Sequence, residues 1–162
     1  MFYLKIPVKP HIKHYLTYQF GDPYKVDQND GLGVRLFTFL RKPLKDNRKE
    51  EHLSRYTEEF TIVLSKKNVF QYGCSEIDPN SIVLFNSEID DQINDLYLAI
   101  MDARTDMGDN YADAIRYFMS RYNYFDMNEL NFEMLKKRYY RYRKEMEKNS
   151  SKEVPQLSLN LR

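Results

Sequence analysis

Apolar and polar residues alternate from Phe2 to Val8, with Phe2, Leu4 and Ile6 on one side. This pattern predicts a short strand, ended by Pro7 and Pro10. The spacing then turns helical. Ile12, Tyr15, Leu16 and Phe20 share one face of a helix over His11 to Phe20. Pro10 suits an early helical position, and Gly21-Asp22-Pro23 ends the helix. A second helix is expected from Leu32 to Arg41, capped by Asn29 or Asp30, with Leu32, Leu36, Phe39 and Leu40 inward. Val34 to Leu40 also alternates, so a strand is the alternative there, and Pro43 ends either element. Lys42 to Ser54 is polar and reads as a loop or a frayed helix. Phe60 to Leu64 is short and β-branched, the best strand in the chain, and a partner for Phe2–Ile6. Val69 to Tyr72 suggests one helical turn before Gly73. After Asp78-Pro79-Asn80, Ser81 to Met101 reads as one or two helices with the stripe Ile82, Phe85, Ile89, Ile93, Leu96 and Ile100. Met107-Gly108-Asp109-Asn110 breaks that pattern.

The last third is the clearest. Asn110 caps a helix from Tyr111 to Arg121, with Ala114, Ile115, Phe118 and Met119 inward. Tyr122 to Asn131 connects it to a helix from Phe132 to about Lys148, capped by Asn131. Phe132, Leu135, Tyr139, Tyr142 and Met146 form the inward stripe of this helix, and Lys137, Arg141, Lys144 and Lys148 form a basic face opposite. A polar linker, Asn149 to Val154, follows. The expected organisation is a single α-rich domain over 1–148 and a flexible tail over 149–162. The expected fold is mainly α with a small β-hairpin or ribbon, closed by a helix-turn-helix-like C-terminal helix pair.

Charge changes this picture more than composition does. The 162 residues carry a net charge of +1. Residues 1–50 hold ten positive and five negative side chains, 51–130 six and fifteen, and 131–162 nine and four. A basic stretch on one helix matters more for a nucleic-acid partner than the total. The 14 Tyr and 10 Phe argue for a packed chain. One cysteine, Cys74, excludes an internal disulfide and fits a reducing compartment. With no signal-peptide pattern and no apolar run of spanning length, the expected location is cytoplasmic.

Catalytic patterns do not emerge. His11 and His14 are separated by two residues, and His52 and Cys74 lie far from them, so a four-ligand zinc site is not indicated. Asp90, Asp91, Asp95, Asp102, Asp106, Asp109 and Asp113 form an acidic tract. Two-metal nucleases use clustered carboxylates, but a solvated helix face is the simpler reading of these. Gly31-Leu32-Gly33 is too short for a phosphate-binding loop, and no serine or cysteine nucleophile signature occurs. No catalytic residue, metal or cofactor is expected.

Helix, connection and basic helix is instead the outline of a DNA-binding pair. Lys136, Lys137, Arg141, Lys144 and Lys148 suit phosphates, while Arg138, Tyr140 and Arg143 suit phosphates or base edges. In the tail, Gln156 precedes Leu157, Leu159 and Leu161 at alternate positions. An extended strand sets those leucines on one side, for an apolar groove, with Gln156 hydrogen bonding at one end. Gln156-Leu157-Ser158-Leu159-Asn160-Leu161 resembles the hexapeptide by which bacterial DNA-processing proteins dock into the replication sliding clamp. The strings Tyr3 to Lys13, Gly21-Asp22-Pro23-Tyr24 and Lys137-Arg138-Tyr139-Tyr140-Arg141-Tyr142-Arg143 resemble an uncharacterised family of DNA-binding proteins from phages and mobile elements of gut bacteria. That resemblance covers most of 1–145 and implies a genome-maintenance or regulatory role, without catalytic residues.

The function expected is a non-enzymatic DNA-binding accessory or regulator of a phage or mobile element, recruited to the clamp by its tail. A ribbon-helix-helix dimer, with Phe60–Leu64 as the ribbon, is a variant. The alternatives are a protein–protein adaptor and a phage structural or assembly protein without DNA binding.

Overall fold

The structure, a computed structural model, describes residues 1–41, 50–125 and 128–150. The elements run β1 (Phe2–Val8), α1 (Pro10–Phe20), β2 (Tyr24–Lys25), α2 (Gly31–Arg41), β3 (Glu58–Leu64), α3 (Lys66–Tyr72), α4 (Pro79–Asp106), α5 (Tyr111–Tyr122) and α6 (Phe132–Ser150). Short 3-10 turns lie at Glu50–Arg55 and Asn128–Leu130. The fold is mainly α with a small β part, as the hydrophobic spacing predicts. The chain divides into two compact units, one over Met1–Tyr97 and one beginning at Leu98, with the boundary inside α4.

In the first unit the sheet order is β1-β3-β2. β1 runs antiparallel to β3, from Phe2 opposite Leu64 to Val8 opposite Glu58, and β2 pairs parallel to β3. The β part is therefore a three-stranded mixed sheet, not a hairpin. Both edges of β3 are occupied within the chain, so Phe60–Leu64 is not free to be the ribbon of a ribbon-helix-helix dimer. Pro7 lies on the edge strand, where a missing N–H is tolerated.

β2 escapes sequence reading because two residues carry no periodicity. One long-range bond and one nearer bond hold it. The Val26 N–H donates to the Val63 carbonyl at 3.1 Å, and the Tyr24 hydroxyl donates to Asp30 at 2.7 Å. Burial, then the Asp30 bond, raises the Tyr24 pKa, so this donor keeps its proton. Asp30 also accepts from the Gly33 N–H at 2.6 Å, and this cap settles α2 as a helix rather than a strand. Only glycine fits at Gly33, since a Cβ there would overlap the Asp27 carbonyl. Ile6, Ile12, Leu16, Leu36, Leu40, Phe60, Ile62 and Phe85 make the core.

A polar seam crosses this unit. The buried Asn86 amide donates to the Pro7 carbonyl at 2.9 Å and accepts from the Lys9 N–H at 3.1 Å. One turn later, Asp90 meets Lys9 Nζ at 2.6 Å and His11 Nε2 at 3.0 Å. Burial alone would raise the Asp90 pKa. The bonds to His11 and Lys9 together outweigh it and hold the carboxyl well below the usual range. A carboxylate with a depressed folded pKa stabilises fully above its unfolded pKa, about 4, and loses that contribution as pH falls toward the folded value. Asp90→Asn should therefore cost about 1–3 kcal/mol at neutral pH. In thermal melts the gap between parent and variant should narrow at pH values well below 4. An equal gap at both pH values would show that the Asp90 charge contributes nothing.

α4 is one helix, and its buried stripe is Ile82, Phe85, Ile89, Ile93, Tyr97 and Met101. The expected Leu96 and Ile100 are only half-buried. Steps of four residues rotate a stripe by about 40° each, so a straight 3.6-residue template loses phase over a helix this long.

In the second unit Asn110 and Asn131 cap α5 and α6 as expected, accepting from the Asp113 and Met134 N–H groups at 3.0 Å. Ala114, Ile115, Phe118 and Met119 are buried, as are Leu135 and Tyr139. Met146, assigned inward by its spacing, is 50% exposed. α6 has 19 residues against 12 in α5, so it is roughly 10 Å longer, and its last turns outrun the facing helix. α6 also continues through Asn149 and Ser150, which the sequence pattern places in the tail. Among the described residues no helix is long and apolar enough to cross a membrane.

Candidate nucleic-acid interface

Two tyrosines fix the rotation of α6. The Tyr139 hydroxyl donates to Asp102 Oδ1 at 3.0 Å, and the Tyr142 hydroxyl donates to Asp102 Oδ2 at 2.7 Å. Thr105 Oγ1 lies 3.3 Å from the Tyr139 oxygen. Burial above all raises the Tyr139 pKa, while the Asp102 bond does so for Tyr142. Both phenols therefore stay protonated at neutral pH and act as donors. Asp102 was expected on a solvated acidic face. The structure corrects this for Asp102 and Asp90, each of which anchors another element. Asp91, Asp95, Asp106 and Asp113 do face solvent.

With Tyr139 and Tyr142 turned inward, the rest of α6 turns outward. Lys137, Arg141, Arg143, Lys144 and Lys148 are exposed, and Lys136 and Arg138 are half-buried. The helix thus carries seven positive side chains against three negative ones, Glu133, Glu145 and Glu147. Every cation proposed from sequence lies on one helix, most of them open to solvent. Tyr140 is 53% exposed among them.

Sequence reading missed Tyr111, at the start of α5. Its ring packs edge-to-face on Tyr139, centroids 5.1 Å apart, and on Tyr140, 5.9 Å apart. Arg143 lies close enough to Tyr111 and Tyr139 for them to raise its already high pKa. No local pattern announces this contact, because Tyr111 and Tyr140 belong to different helices. The α5–α6 connection, 123–131, contains its own 3-10 turn and is longer than the three- to four-residue turn of a helix-turn-helix. Gln156, Leu157, Leu159 and Leu161 lie outside the described residues.

His11 bonds Asp90, and Cys74 is buried, which raises its thiol pKa. Among the described residues no group of three or more His, Cys, Asp or Glu is placed to hold a metal ion. No protein-family model, curated protein or solved structure matches the chain.

Proposed function

We propose that this is a non-enzymatic, cytoplasmic DNA-binding accessory or regulatory protein of a phage or mobile element, with α6 as its DNA contact. The observation that carries this reading is the outward face of α6. Lys137, Arg141, Lys144 and Lys148 stand exposed along one side of a helix whose other side is tied down by Leu135, Tyr139 and Tyr142. An anchored helix presents its cations in a fixed register, and such a row suits a phosphate backbone. Replacing Lys137, Arg141 and Lys144 together with Ala should lower DNA affinity by at least ten-fold at low salt, measured by fluorescence anisotropy. The far-ultraviolet circular dichroism should stay unchanged, because all three are exposed. Equal affinity in parent and variant would remove α6 from the interface.

The tail adds a second contact to this proposal. Gln156, Leu157, Leu159 and Leu161 have the spacing for strand-like entry into an apolar groove, here that of the replication sliding clamp. A synthetic peptide over 153–162 should bind the host clamp weakly in calorimetry, and Gln156→Ala with Leu159→Ala should abolish the signal. Absence of heat from the parent peptide would end the clamp assignment and leave α6 untouched.

A further inference from the structure

We propose that the α6 face takes single-stranded rather than duplex DNA, with Tyr140 and Tyr111 as a platform on which unpaired bases stack; this rests on the DNA-binding reading above. The argument starts from the neighbours of Tyr140. On a helix, positions three and four away are the surface neighbours. For Tyr140 these are Lys136, Lys137, Arg143 and Lys144, so all four are cations. A half-exposed aromatic ring is thus ringed by positive charge.

The other tyrosines on this helix are committed elsewhere. Tyr139 and Tyr142 give their hydroxyls to Asp102 and turn inward. Tyr140 and Tyr111 donate no hydrogen bond among the described residues. They are 53% and 37% exposed and pack edge-to-face with an interplanar angle of 82°. The pair offers two aromatic surfaces set nearly at right angles.

That combination distinguishes the two forms of DNA. In a duplex, base faces are hidden in the stack, and the grooves show only edges, read by hydrogen-bond donors and acceptors. An exposed ring gains little there. In a single strand the faces are open, and aromatic side chains within a basic groove hold them in a sequence-tolerant way. The long α5–α6 connection also departs from the tight pair that sets a recognition helix into the major groove.

The test uses the full chain with two labelled probes of equal length, an oligothymidylate and a blunt duplex, at low salt. The parent should bind the single strand more tightly. Tyr140→Leu should weaken oligothymidylate binding by roughly ten-fold or more, as expected for losing one stacked base, and change duplex binding by less than about two-fold. Tyr140→Phe, which keeps the ring and removes the hydroxyl, should bind as the parent does. Equal weakening toward both probes, parent-like oligothymidylate binding by Tyr140→Leu, or a loss in Tyr140→Phe equal to that in Tyr140→Leu would overturn the stacking assignment. DNA binding by α6 would survive all three. Failure of the parent to bind either probe would overturn the DNA-binding reading itself.

Discussion

Phe118→Ala will destabilise the unit that begins at Leu98 by about 3–5 kcal/mol. Phe118 is completely buried on α5. Its ring meets those of Tyr122 at 5.2 Å and Tyr124 at 5.6 Å, and both partners are themselves buried. Truncation removes the transfer energy of the ring, opens a cavity and breaks two aromatic contacts. The cavity will not close readily. Tyr122 ends α5, and Asn123 turns the chain with a left-handed φ of 53°, so the backbone on that side is already fixed. Phe125→Ala is the control, since Phe125 is 56% exposed, and it should cost less than about 0.5 kcal/mol. Urea unfolding followed by circular dichroism reads both. A loss below about 1 kcal/mol for Phe118→Ala would mean that this aromatic cluster is not a packed core.

The second large effect belongs to Asn86. Leucine has the same branched outline but a larger volume, so Asn86→Leu leaves no cavity, and the loss comes from polar groups left unpaired, with crowding of the buried site adding to it. The Lys9 N–H and the Pro7 carbonyl both lose their side-chain partner. An orphaned buried donor or acceptor costs about 1–3 kcal/mol, so the pair should cost about 2–6 kcal/mol. The Ile82 carbonyl also accepts from Asn86 but sits within α4, where a helical bond is open to it, and adds little. Asn86→Asp separates the two roles. It keeps an acceptor for the Lys9 N–H but turns a carboxylate toward the Pro7 carbonyl, so it should also destabilise. A leucine variant as stable as the parent would show that water satisfies both groups.

These two residues also mark what the hydrophobic pattern reveals. Phe118 was legible, because Ala114, Ile115, Phe118 and Met119 repeat at helical spacing behind a capping Asn110. Asn86 was not, because its partners lie far away in the chain, across a fold that spacing alone does not specify. The same division holds for the candidate interface. The basic face of α6 follows from the sequence alone, as does the inward turn of Leu135 and Tyr139. Asp102 does not, because an aspartate in an acidic tract looks like any other until Tyr139 and Tyr142 are placed beside it. Tyr111 is invisible for the same reason. Met146 errs the other way: its spacing is right for a core position, but burial needs a facing partner, and α6 runs on past the start of α5. β2 shows the limit most simply, since a two-residue strand is made by its partner β3 and by the Tyr24–Asp30 bond rather than by any local preference.

The central claim is that exposed cations of α6 hold DNA by its phosphates, and salt dependence tests it most directly. Binding of the full chain to labelled single-stranded and duplex DNA should be followed by anisotropy from low to moderate salt. The logarithm of the association constant should fall linearly with the logarithm of salt. For three to seven neutralised phosphates the slope lies between about −2 and −6. A slope near zero, or no binding to either probe at the lowest salt, would contradict the account.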